Sequence, residues 1–227
     1  PRVRRQRQMC IRDRNQKYLM NMMEIASDFD AISTELFALS HNAADNPQYD
    51  PKTKLYSLVR STEENAVQLR HLAGRVLGKS SEPIYDTVVS AMGIGVVEEE
   101  KWLKITVPAI LPSRNQRDNL AYITRPLRHC LIQFQRENPM ERFRNCGICI
   151  VHMYDEALGI RRVRDYDNIE TKRYLDVIES ILLTNDSGLL CSVLQTTKMG
   201  ERDCTQFYLM QPETLSIWAK DHIKSNT

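Results

Sequence analysis

Apolar side chains recur through residues 15–40 at alternating steps of four and three: Tyr18, Met22, Ile25, Phe29, Ile32, Leu36 and Leu39. An a/d stripe sustained for three heptads predicts an amphipathic helix. Asn46-Pro47 and Asp50-Pro51 end it, because a residue before proline is pushed out of the α region. A second stripe, Leu55, Leu58, Thr62, Ala66, Leu69, Ala73 and Val76, predicts a helix over 53–77, and Gly78 is its expected stop. Two matched stripes joined by a short polar connection make an antiparallel hairpin. Such a hairpin serves either as a dimerisation or partner-docking arm or as an element that packs on its own chain.

Ser80, Ser81 and Pro83 mark a linker, with a short helix over Ile84–Met92. From about residue 96 the period changes. Trp102, Lys104 and Thr106 alternate with Leu103, Ile105 and Val107, which is the pattern of a strand. A helix over 118–136 follows a polar loop at 112–116, with Pro126 predicting a kink or a start near Arg125. Cys146–Tyr154 is an apolar strand, and Asn168–Leu183 a helix capped by Asn168. Leu189–Leu194 and Cys204–Met210 are two strands joined through Lys198-Met199-Gly200-Glu201, and a short helix covers 212–223. The order implies an α+β fold, an N-terminal helical hairpin (15–80) followed by a small mixed-sheet α/β layer domain (81–227) with helices on one side.

Composition changes this picture at one place. The chain has 227 residues, 31 basic and 29 acidic side chains, and a net charge of +2. Arg4–Asp13 resembles the in-frame translation of a transposon-type sequencing adapter, so Pro1–Arg14 is set aside from fold reasoning. Those 14 residues hold six Arg and one Asp, and without them the net charge is −3. A nucleic-acid site would then be a local patch and not a field over the whole surface. No run of 18 apolar residues is present. The six scattered cysteines fit reduced thiols and a cytoplasmic setting.

The densest polar cluster is Arg161-Arg162-Val163-Arg164-Asp165-Tyr166-Asp167-Asn168. In an extended segment residues i and i+2 point the same way, so Asp165 and Asp167 would offer two hard oxygen ligands to one Mg²⁺. The arginines beside them would grip phosphates. The plainer reading is a capped, solvated turn, with Lys172 and Asp176 as a surface i,i+4 pair. Cys146-Gly-Ile-Cys149 has CxxC spacing but falls in a strand, where i and i+3 face opposite ways, so buried core thiols are expected. His129 and His152 lack partners at metal-ligand spacing, although His152 borders the acidic loop. Arg114, Arg117, Arg125 and Arg128 extend a basic surface or form a solvated face. There is no Gly-rich phosphate loop and no sign of an organic cofactor.

The arginine run, Asp165-Tyr166-Asp167-Asn168, Lys172, Asp176, Asn185-Asp186-Ser187 and the upstream Ile105–Ser113 resemble, in order and approximate spacing, the RusA-type Holliday-junction resolvases over residues 102–210. Two departures are the position of Lys172, four residues after Asn168 where that family has three, and Asn185 in place of the first Asp of a pair. The resemblance implies a Mg²⁺-dependent, structure-selective endonuclease that hydrolyses phosphodiesters of branched DNA. Asp165, Asp167 and Asp186 would be its metal ligands and Lys172 the group at the scissile phosphate. Arg161, Arg162, Arg164 and Arg114 would be its DNA contacts. It implies a homodimer, since paired cleavage needs two sites. The alternative is a catalytically inactive nucleic-acid-binding or coiled-coil interaction protein of a mobile element. The whole chain also resembles an uncharacterised bacterial family, which implies no activity.

Overall fold

The long apolar stripe folds as its spacing dictates. In the computed structural model of the chain, α1 is Arg2–Asp45 and α2 is Lys52–Leu77. The structure describes residues 2–46, 48, 50–77, 82–114, 121–185 and 187–223, with side chains from residue 16 onward except at 53, 56, 77, 82, 83 and 121. Asp50 accepts the Lys52 backbone N–H at 3.1 Å, with Pro51 between them. This is the local chemistry of a helix start, a side-chain oxygen satisfying an orphan donor beside a proline that needs none. Lys54 and Glu35 approach to 3.9 Å, so the start of α2 lies beside the later part of α1 and the pair is antiparallel. The chain divides between Ile84 and Tyr85 into two compact units, and the hairpin belongs to the first.

The second unit is a five-stranded mixed sheet. Its strands are β1 (Gly95–Glu99), β2 (Trp102–Val107), β3 (Cys146–Asp155), β4 (Cys191–Gly200) and β5 (Cys204–Met210). Their spatial order is β1-β2-β5-β3-β4. All pairings are antiparallel except β3–β4, which is parallel from Cys146↔Cys191 to Asp155↔Gly200. Its helices are α4 (Ala121–Glu137), α5 (Lys172–Leu182) and α6 (Leu215–His222), and α3 (Glu82–Met92) precedes β1.

Alternation along the strands builds two cores. Leu103, Ile105, Val107, Ile148, Ile150, Phe207 and Leu209 pack with Leu127 and Leu131 of α4 and Tyr174, Ile178 and Leu182 of α5. The opposite face carries Cys149, Val151, Tyr208 and Met210 under Trp218 of α6. Helices therefore lie on both faces, not on one as the element order implied. The short α6 earns its place through Trp218, which is fully buried and whose indole stacks on His222 with ring centroids 4.4 Å apart.

The α+β class expected from the sequence holds, and three local expectations change. β1 was not foreseen; it pairs with β2 across a tight Glu100-Lys101 turn. β4 and β5 are consecutive but not neighbours, because the chain crosses the end of β3 in three residues, 201–203. Pro126 sits inside α4, which starts at Ala121 and not near Arg125.

Candidate functional site

The acidic loop between β3 and α5 folds as three short 3₁₀ turns, Glu156–Leu158, Ile160–Arg162 and Tyr166–Asn168. Asp165 precedes the last turn and Asp167 lies inside it. Asp165 is extended and Asp167 falls within the turn, so the segment is not the uniformly extended Asp-x-Asp that was expected. The following helix begins at Lys172 with Thr171 at its N-cap position, three residues later than the expected cap at Asn168. Lys172 thus opens α5 and is exposed, as are Asp165 and Asp167. Asp186, the third carboxylate of the expected Mg²⁺ set, lies outside the described residues. Among the described residues no group of three or more His, Cys, Asp or Glu side chains is placed to hold a metal ion together.

Three of the four arginines expected to hold DNA are engaged with their own chain. Arg162 pairs through its guanidinium with the Asp203 carboxylate. Arg164 donates to the Leu111 carbonyl at 3.0 Å, and its backbone N–H donates to the Tyr154 hydroxyl at 3.2 Å. Arg114 donates from Nε to the Ile169 carbonyl at 3.2 Å, beside the Ser113↔Ile169 bridge. These bonds tie the loop to the strand ends. Arg161 is exposed.

His152 lies beneath this loop and is fully buried. Its Nε2 sits 3.1 Å from Gln195 Oε1, and its ring is 5.9 Å from that of Tyr166. Its Nδ1 is buried with no hydrogen-bond partner. Burial lowers its pKa and the Gln195 contact opposes this only in part, so the neutral imidazole is favoured. The CxxC pair behaves as core. Cys146 joins the α4/α5 side and Cys149 the α6 side, and burial pushes both thiols up to about 12.

The hairpin carries the more pronounced surface. On α1, Ile25 and Leu39 are buried and Tyr18 and Ile32 half-buried, a column spaced by seven. On α2 the buried column is Leu58, Asn65 and Leu72, again spaced by seven. The other half of each stripe is open. Met22, Phe29 and Leu36 are 46%, 36% and 53% exposed, and Leu55, Leu69 and Val76 are 41%, 47% and 51% exposed. The sequence identified both stripes, but it did not show that only one column of each is covered.

The solved structures with detectable likeness include the periplasmic domain of Helicobacter pylori MotB, at 8% identity over 57% of this chain and 90% of that one, with a TM-score of 0.29. A MotB-like protein from Desulfovibrio vulgaris matches at 15% identity over 66% and 96%, with a TM-score of 0.30. Likeness at that level assigns neither fold nor function. No curated protein matches the chain. One family model matches residues 13–227, far beyond the 102–210 span of the resolvase resemblance, and it is a family of unknown function distinct from the resolvases. The RusA assignment is corrected on that finding, and with it the reading as a Holliday-junction endonuclease of DNA recombination and repair. By that match the chain belongs to the Family of unknown function (DUF6100).

Proposed function

We propose that this protein is a protein–protein interaction module whose helical hairpin is the working surface. The observation that carries the reading is the pair of exposed heptad columns on α1 and α2. Six large apolar side chains in heptad register on two adjacent helices form a stripe that only Thr62 interrupts, unlike the isolated exposed apolar residues found on any surface. Isolated hairpins gain little from helix propensity alone, so a stripe of this kind is worth most when a partner covers it. The sheet unit, with two packed faces, suits the role of a stable carrier. No helix among the described residues is long and apolar enough to cross a membrane. The buried thiols of Cys146, Cys149 and Cys204 and the partly buried thiol of Cys130 suit a reducing compartment such as the cytoplasm.

A photoreactive benzoylphenylalanine at Phe29, introduced in the native cell, tests the reading. The expected result is an adduct with a second polypeptide at Phe29 and none at Ser27, which lies across α1. Equal labelling at both positions, or no adduct at Phe29, rejects it.

A further inference from the structure

The partner of that surface follows from the geometry and charge of the hairpin itself, and this step rests on the interaction reading above. With 100° per residue, the exposed column of each helix is rotated about 40–60° from its buried column. The rotation has the same sense along both chains: Ile25 to Phe29 on α1, and Leu58 to Thr62 with Leu55 and Leu69 on α2. Because the helices are antiparallel, equal rotations along opposite directions turn both columns to the same side of the hairpin. One broad apolar face results, and the four buried apolar side chains Ile25, Leu39, Leu58 and Leu72 form only half of a bundle core.

Charge separates α2 from the part of α1 that follows the basic residues 2–14, although α1 as a whole, Arg2–Asp45, has a net charge of +1. Residues 15–45 carry Glu24, Asp28, Asp30, Glu35 and Asp45 against Lys17, a net of −4. Residues 52–77 carry Lys52, Lys54, Arg60, Arg70 and Arg75 against Glu63 and Glu64, a net of +3. An acidic segment, residues 15–45 of α1, and a basic helix on one apolar face make that face complementary to itself. The geometry points to a second copy of this chain as the occupant, in a four-helix antiparallel bundle whose twofold axis runs along the helices. That axis sets each α1 between its own α2 and the α2 of the other copy, so every neighbouring pair joins opposite charges. A twofold across the helices would instead stack α1 on α1 and α2 on α2, which like charges disfavour. Asn65, buried in the apolar column of α2, is of the kind that fixes register in such bundles.

Sedimentation equilibrium of the full chain between 1 and 100 µM tests the proposal, with benzoylphenylalanine at Phe29 as a second readout. The expected mass is that of two chains, and the photoadduct of purified protein is expected to double in mass and to map to α2 of the other copy. Phe29→Lys with Leu69→Lys is expected to shift the mass to one chain. Leu36→Gln with Val76→Gln is a milder pair, expected to weaken association at least tenfold if the lysine pair does not fold. A single-chain mass at 100 µM overturns the proposal, and so does association unchanged in a folded variant. An adduct mapping to α1 overturns the bundle arrangement. A monomeric purified chain that still forms an adduct with a different polypeptide in cells overturns the second copy alone and leaves the interaction reading standing. Absence of any adduct in cells overturns the interaction reading itself.

Discussion

The carboxylate of Asp203 accepts the backbone N–H of Asp155 at 2.8 Å, joining the crossover between β4 and β5 to the last residue of β3. The same carboxylate holds Arg162. One side chain thus fastens three segments: the crossover, the end of β3 and the loop that carries the acidic cluster. Burial pushes the Asp203 pKa up. The hydrogen bonds from Arg162 and from Asp155 N–H, with the charges of Arg162 and Arg164, outweigh burial and hold it below the ordinary carboxylate value. Asp203→Asn is expected to lower unfolding free energy by about 1–2 kcal/mol at neutral pH, read from the urea midpoint. A carboxylate depressed in the folded state stabilises above its unfolded pKa and loses that contribution as pH falls through the folded one. The gap between the two proteins should therefore close in acid below pH about 4.

Gly200 stands where the chain leaves β4. A Cβ there would meet Met153 Sδ at 2.7 Å and Cγ at 2.8 Å. Gly200→Ala is expected to cost about 1–3 kcal/mol by overpacking. Met153→Ala in the same chain should recover part of that loss, since it empties the space in dispute. A thermal or urea double-mutant cycle gives the coupling, and strictly additive losses would remove the steric explanation.

The core thiols should be inert. Burial pushes Cys130 up to about 11 and Cys146 and Cys149 up to about 12, so almost no thiolate exists at pH 8. Ellman's reagent should leave all three unmodified in native protein and react with them at once in guanidinium. Rapid native labelling of Cys146 or Cys149, mapped by mass spectrometry, would show that β3 opens far more readily than its packing implies.

Below the surface of the acidic loop, His152 predicts a second pH dependence. Its folded pKa is lowered from 6.5, so the unfolded chain takes up a proton that the native state refuses. Stability then falls as pH drops below about 6.5, a window separate from that of Asp203. His222, also lowered first by burial, acts in the same sense. His152→Gln should flatten the decline in unfolding free energy between pH 7 and 5, and an unchanged slope would mean that this imidazole titrates normally.

Periodicity carried most of the fold. The stripes of α1 and α2, the alternation of Trp102–Val107 and the apolar run of β3 are local signals, and each element formed near its expected place. β1 escaped notice because Gly-Val-Val-Glu-Glu is short and half-exposed, and its partner β2 is what makes it a strand. The placement of β5 between β2 and β3 depends on pairings across 98–106 residues with β2 and 51–63 residues with β3, which no local window contains. The same limit governed the arginines. A run of cations beside carboxylates reads as a phosphate grip until Asp203 and the Leu111 carbonyl, 41 and 53 residues away, are seen to occupy them. The hairpin face was the reverse case. Its residues were legible in full, and only the packing showed which half is left open.

The strand order has a consequence for synthesis. β2 and β3 touch only through β5, so the antiparallel β1–β2 ribbon and the parallel β3–β4 pair remain two separate halves until residues 204–210 have been made. A nascent chain halted before that point holds two open edges and no closed core. The sheet unit therefore completes its fold only once β5 has left the ribosome, while the helical hairpin, made before it and held by contacts close in sequence, is free to form beforehand.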